Sequence, residues 1–157
     1  MALLPVRLVS VGVASGLLVG CTSVTSPKLT VASAAVGHRS AEGLELAFAI
    51  DGENSNDTGL PLRTVKYTVE LGGERVFEGT RSPEATLRRM GVQRFVLPAV
   101  VKLADHPDLA SGGRVPYRVS GEVTYVAPGQ IAELLFDAGV RVPTTSFSDS
   151  GELDLGS

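Results

Sequence analysis

Apolar and polar side chains alternate with a period of two through most of this chain. Leu44, Leu46, Phe48 and Ile50 point one way, while Glu45 and Asp51 point the other. Val65, Tyr67, Val69 and Leu71 alternate with Lys66, Thr68 and Glu70. Phe95, Leu97, Ala99 and Val101 form a third run. In a fourth, Val115, Tyr117, Val119, Gly121, Val123 and Tyr125 alternate with Arg118, Ser120, Glu122 and Thr124. A strand turns successive side chains to opposite faces, so each run predicts a strand with one face in a core and one in water. Residues 29–36 and 74–80 are shorter candidates, and 134–142 is predicted to close the sheet. About seven strands separated by turn signals predict an all-β chain, an immunoglobulin/fibronectin-III-like antiparallel β-sandwich.

The connections carry matching punctuation. Leu71-Gly72-Gly73-Glu74 reads as a tight hairpin, because Gly-Gly accepts the positive φ values of primed turns. Ser111-Gly112-Gly113 and Ala127-Pro128-Gly129 are further turns. Ser82-Pro83-Glu84 predicts a capped helical turn through Met90, and Pro107 limits a second candidate over 102–110 to a turn or two. The Ser-, Thr-, Gly- and Asp-rich stretch 144–157 predicts a flexible tail.

The N-terminus has a different pattern. Arg7 precedes an uncharged apolar stretch from Leu8 to Gly20 that ends at Cys21, the only cysteine. A charged start, an apolar middle and small residues before a cut form the pattern of a secretory signal peptide. The stretch is shorter than the roughly 20 apolar residues a membrane-spanning helix needs. Leu18-Val19-Gly20-Cys21 resembles the lipobox of bacterial lipoproteins. That resemblance implies cleavage between Gly20 and Cys21 and a diacylglyceryl group on the Cys21 thiol. The expected organisation is a lipoprotein signal peptide at 1–20, lipidated Cys21 and a short tether at 21–28, the sandwich at 29–143 and the tail at 144–157. Thr22, rather than Asp, follows the cysteine. By the same resemblance this favours the periplasmic face of the outer membrane in a diderm host.

Composition narrows the partners. Cleavage would leave 137 residues, enough for one domain without a metal or disulfide staple. The mature chain would carry 13 Lys and Arg against 17 Asp and Glu. A mildly acidic surface has no general attraction for nucleic acid, and membrane association is expected to come from the lipid. Arg88, Arg89, Arg94 and Lys102 give the middle of the chain a local positive bias, for which the readings are a solvated loop and a face turned to the membrane.

The order of the pieces resembles the late embryogenesis abundant type-2 family, also called the WHy (water stress and hypersensitive response) domain. The resemblance rests on Leu44 to Ile50, the Asn54-Ser55-Asn56 turn, Leu60-Pro61-Leu62, Val65 to Tyr67, Leu71-Gly72-Gly73 and Phe77 to Gly79. Phe95 to Pro98 and the Tyr117 to Val123 strand continue it. Asn54, Asn56, Pro61 and Leu62 are thereby expected to be structural turn residues. Ser55 stands where the family has proline. The resemblance implies a folded domain associated with desiccation and other water stress.

Candidate chemistry is sparse. His38 and His106 stand alone, no Gly-x-Ser-x-Gly elbow or phosphate-binding loop occurs, and the one thiol is assigned to lipid. Asp51 to Asp57 resembles a cation loop, but an EF-hand needs Gly at its sixth position and Glu at its twelfth, where this chain has Asn56 and Leu62. A weak surface cation site is left open there. The sequence therefore predicts a non-catalytic envelope protein with no cofactor and no metal, held to the membrane through Cys21. Its expected role is stress protection of protein clients or membrane. The alternatives are an adaptor that uses sheet edges or an apolar patch in an envelope complex, and a lipid or small-molecule carrier.

Overall fold

The alternating runs form strands of two antiparallel sheets packed face to face. The computed structural model describes residues 24–156. Its elements are β1 (Lys28–Arg39), β2 (Gly43–Asn54), β3 (Leu60–Leu71), β4 (Glu74–Arg81), β5 (Thr86–Leu87), β6 (Gly91–Lys102), a 3₁₀ turn (Pro107–Ser111), β7 (Arg114–Tyr125), α1 (Gln130–Asp137) and β8 (Thr144–Asp154). The smaller sheet has the order β1-β2-β6; the larger runs β4-β3-β7-β8, with β5 paired to the start of β3. Uninterrupted pairing of β2 with β6 sets Leu44 against Val101, Leu46 against Ala99, Phe48 against Leu97 and Ile50 against Phe95. All eight are buried and face Val65, Tyr67 and Val69 of β3 and Val119 and Val123 of β7. The alternation puts this whole set on one side of each sheet, and a one-residue slip would turn it to water.

Glycines fix the register of the larger sheet. Gly79, Tyr67, Gly121 and Phe147 stand side by side across β4, β3, β7 and β8, and Tyr117 stands opposite Gly151. A Cβ on Gly121 would lie 2.6 Å from Phe147 Cζ and 2.7 Å from the Lys66 carbonyl oxygen. One on Gly151 would lie 3.0 Å from Tyr117 Cε1. Aromatic rings thus lie over cross-strand glycines, an arrangement that pins strands in place. On one side of the sandwich the edges meet, where Thr145 Oγ1 donates to the Pro27 carbonyl at 2.9 Å and Arg39 donates to the Leu155 carbonyl at 3.1 Å. On the other side, the Tyr67 hydroxyl donates to the Pro98 carbonyl, joining β3 to β6.

Several expectations change. Residues 134–142 do not close the sheet: α1 covers their first part, with Gln, Ala, Glu and Leu as helix formers and no strand alternation. The tail expected over 144–157 is instead strand over 144–154, where β8 takes the closing position and the sandwich extends past 143. In β8, Phe147 and Leu153 point inward, while Asp149 accepts the Tyr117 hydroxyl. A strand built from Ser, Thr and Asp around two apolar anchors suits a sheet edge, where polarity discourages pairing with other chains. Residues 82–90 form no helical turn. Leu87 is drawn into the core beside Leu60, and Glu84 and Met90 take left-handed backbone conformations with φ of 50° and 47°. The 102–110 candidate becomes the 3₁₀ turn. Gly20 and Cys21 lie outside the described residues.

Replacing Gly121 with Ala puts a Cβ too close to both the Phe147 ring and the β3 backbone, so both contacts must give. It is expected to lower unfolding stability by about 1–3 kcal/mol. Gly37→Ala, whose nearest contact would be an ordinary 3.6 Å, is expected to stay within about 0.5 kcal/mol. Urea unfolding of both variants checks the pair, and equal stabilities would contradict the packing argument.

Candidate functional site

The predicted turn residues converge on one end of the sandwich, where the chain enters. Asn54 ends β2 and is fully buried, the only buried polar residue among those described. Its Nδ2 donates to the carbonyls of Thr58 at 2.8 Å and Leu87 at 3.3 Å. Its Oδ1 accepts the Asn56 backbone N–H at 2.9 Å and Asn56 Nδ2 at 2.7 Å. Asn56 passes the network outward: its Nδ2 donates to the Thr25 carbonyl at 2.8 Å, and its Oδ1 accepts the Thr25 N–H at 2.9 Å. The Met90 N–H donates to the Asn56 carbonyl at 3.0 Å. A buried amide must fill its bonds or incur a desolvation cost of about 1–3 kcal/mol, and here every bond is made. Pro61 accepts the Val126 N–H at 2.9 Å, and the Leu62 N–H donates to Ala85 at 2.9 Å. Asn54, Asn56, Pro61 and Leu62 are joints between segments.

The same network shortens the expected tether. Thr25 is held by Asn56, Ser26 Oγ shares a hydrogen bond with the Tyr125 hydroxyl at 3.0 Å, and Pro27 is buried. The domain's grip on the chain therefore begins near Val24 rather than Lys28.

The outward faces of the two sheets differ in chemistry. On the larger sheet, Thr80, Lys66, Glu122 and Ser146 form one cross-strand row and Glu78, Thr68, Ser120 and Ser148 the next. Thr68 and Ser120 share a hydrogen bond at 3.1 Å. These side chains line an open depression of about 740 Å³. On the smaller sheet, Ala47 and Ala49 lie beside Pro98 and Val96, and Val96 and Val100 are 52% and 63% exposed. This apolar face was missed in the alternation, although the unbroken run Phe95 to Val101 signals it by being apolar at both parities. Arg94 bounds it through a two-pronged ion pair with Asp51, both contacts 2.7 Å, which holds the Asp51 carboxyl below its ordinary range. Asp51 is thus committed to Arg94 rather than offered to a cation.

The basic residues of the middle segment separate in space. Lys102 ends β6 at the far end, and Arg94 is paired, while Arg88 and Arg89 are exposed in the segment that Met90 ties to Asn56. His38 is exposed on β1, and His106 Nδ1 lies 3.8 Å from Glu74 Oε2. Among the described residues, no three His, Cys, Asp or Glu side chains cluster to hold a metal, and no helix is long and apolar enough to cross a membrane. A lateral cleft of about 380 Å³, lined by Tyr67, Phe77, Arg81, Glu84 and Pro98, opens between the sheets.

Comparison with known proteins follows the same outline. A family model described as late embryogenesis abundant protein matches residues 49–146, more than half of the chain. A solution structure of an Arabidopsis thaliana protein is similar at a TM-score of 0.64 and 16% identity, over 90% of this chain and 91% of that one. A solution structure described as a late embryogenesis abundant protein is similar at 0.63 and 19%, over 84% and 72%. A crystal structure of an Archaeoglobus fulgidus protein gives 0.54 and 17%, over 84% and 97%. At these identities the likeness shows a shared fold. No curated protein sequence matches this chain.

Asn54→Ala leaves two carbonyls and the Asn56 N–H without partners, and is expected to cost about 3 kcal/mol in urea unfolding. Asn56→Ala should cost less but deprotect the Thr25 amide in hydrogen exchange. Burial and the bonded Asp149 carboxylate push the Tyr117 phenol up to about 12. A tyrosine raised on folding adds stability that is full below its ordinary value near 10 and is lost as pH climbs through 12. The urea midpoint should therefore fall across that alkaline window, and fall less in Tyr117→Phe; identical declines would assign the loss elsewhere.

Proposed function

The chain belongs to the late embryogenesis abundant type-2 family, and on that premise we propose that it is a lipid-anchored protein of the bacterial cell envelope that protects neighbouring proteins or membrane during water stress. Family membership points to a stress-related, non-catalytic role. The finer assignment is to the WHy type, with signal-peptide cleavage after Gly20, lipid on Cys21 and, in a diderm host, residence on the periplasmic face of the outer membrane. The observation that carries the protective reading is the outer face of the larger sheet. Its Thr68, Thr80, Ser120, Ser146 and Ser148 hydroxyls alternate with the charged groups of Lys66, Glu78 and Glu122. Such a face offers hydrogen bonds to polar surfaces as their water is withdrawn. The fully satisfied Asn54 network and the glycine-locked register keep the face in shape meanwhile.

The apolar outer face of the smaller sheet favours a second reading, an adaptor in an envelope complex. Val96 and Val100, with Ala47 and Ala49 beside them, make a flat patch of the kind that marks protein contacts. The neighbouring edge is a poor template for an added strand, because Pro98 has no N–H and its carbonyl is taken by Tyr67.

Deletion of the gene should lower survival of drying and osmotic shock, with rescue by the wild type and not by Cys21→Ala. Unchanged survival would remove the protective role. Crosslinking of the lipidated protein in its native envelope separates the two readings. A diffuse set of neighbours that grows on drying fits protection; one dominant partner, lost in Val96→Glu, fits the adaptor.

A further inference from the structure

The α1 crossover is an apolar element that the core leaves out. Ile131, Leu134, Leu135 and Ala138 follow one another at helical spacing on one face, with Glu133 and Asp137 on the opposite face. None of these apolar side chains joins the buried cluster or packs against it. Ile131 and Leu134 are 76% and 70% exposed, and Val140 just beyond the helix is 73% exposed. The backbone bonds of the helix are its own, as Glu133 N–H to Gly129 at 3.0 Å and Ala138 N–H to Leu134 at 3.0 Å show. Gly129 and Gly139, with φ of 114° and 69°, turn the chain out and back. Burial of such side chains would be stabilising, so leaving them in water calls for an occupant.

Position identifies that occupant. The crossover leaves β7 at Tyr125 and returns at Pro143, whose carbonyl accepts the Tyr125 N–H at 3.1 Å. Tyr125 also holds Ser26, and Thr145 just after the return holds Pro27. Exposed Met90, beside Arg88 and Arg89, reaches the same end through Asn56, which holds Thr25. The apolar crossover, these arginines and Arg141 therefore surround the point where the chain enters the domain. Only three residue steps separate Cys21 from Val24, at most about 10 Å of extended chain.

We infer that α1 and the loop after it, residues 130–142, form a second, noncovalent membrane contact that enters the headgroup–acyl boundary of the bilayer carrying Cys21. The inference rests on the lipid attachment proposed above. Interfacial helices seat their apolar face about 5–10 Å into that boundary. Ile131 and Leu134 supply the face, and Arg88, Arg89 and Arg141 meet anionic headgroups. Glu133 and Asp137 stay on the water side of the helix.

The chain contains no tryptophan, so a single introduced one is a unique probe. Full-length protein carrying Leu134→Trp, isolated with its native Cys21 modification, is reconstituted into phosphatidylethanolamine–phosphatidylglycerol vesicles. The expected result is a blue-shifted emission quenched several-fold more by brominated acyl chains than that of Ala104→Trp, which lies at the opposite end. Ile131→Trp should behave as Leu134→Trp does, and both sites are exposed enough to accept the ring. Emission that stays water-like overturns the inference, as does equal quenching at Ala104→Trp. A shift that appears without vesicles and grows with protein concentration also overturns it and makes a second copy the occupant. The mass of the N-terminal peptide reports the lipid independently. If the lipid is absent, the lipoprotein reading fails, and the same probe in unmodified protein added to vesicles still decides the contact: a blue shift upholds it and none removes it.

Discussion

One buried amide governs the end of the sandwich on which the functional reading depends. Asn54 sits where a core residue would be apolar, and removing its side chain from water requires every polar atom to find a partner. The partners lie on different segments: Thr58 in the β2–β3 corner, Leu87 on β5 and Asn56, which grips Thr25. Forming any one of these contacts brings the others into place. The N-terminal segment, the corner and the 82–90 crossing therefore order together, and the entry point of the chain becomes a fixed feature of the domain. A Ser or Ala at 54 would leave the corner without its clasp.

Much of this was legible in the alternation. The four long runs became β2, β3, β6 and β7 because their apolar residues form a single inward set, and a period of two has one solution when one face must be buried. The Gly72-Gly73 hairpin also followed from local chemistry, and both glycines have positive φ. The misses share a cause. Residue 87 and strand β8 are held by tertiary contacts that a local reading does not contain: Leu87 by Leu60 across the sheet, Phe147 by the space above Gly121. Polar composition suggested disorder for 144–157, yet an edge strand needs only two apolar anchors and a partner such as Tyr117 for its acid. The turn asparagines were legible as a motif, while their contacts with Thr25 lie 31 residues away in sequence and could not be.

The exposed edges are managed by separate devices. β8 is polar, β6 carries Pro98 with its carbonyl occupied, and β1 is tied to the β8 edge at both ends, by Thr145 to Pro27 and by Arg39 to Leu155. With edge pairing discouraged, the broad faces become the surfaces available for recognition. Their contrast is the main chemical asymmetry of the domain: hydroxyls interspersed with charged groups on one side, alanine and valine bounded by the Arg94–Asp51 pair on the other.

Strand direction connects this asymmetry to the proposed anchor. The chain enters beside the starts of β1, β3 and β8 and the ends of β2 and β7, so the strand axes run away from the entry point. A 12-residue strand extends roughly 40 Å at about 3.3 Å per residue. If Cys21 carries lipid and α1 seats in the interface as proposed, the strands would stand away from the bilayer and both broad faces would look sideways into the envelope. An anchor of one flexible attachment would let the domain fall onto either face and cover it. The two proposed contacts at the same end, one covalent and one apolar, would keep the hydroxyl face and the apolar face open at once, which either the protective or the adaptor role requires.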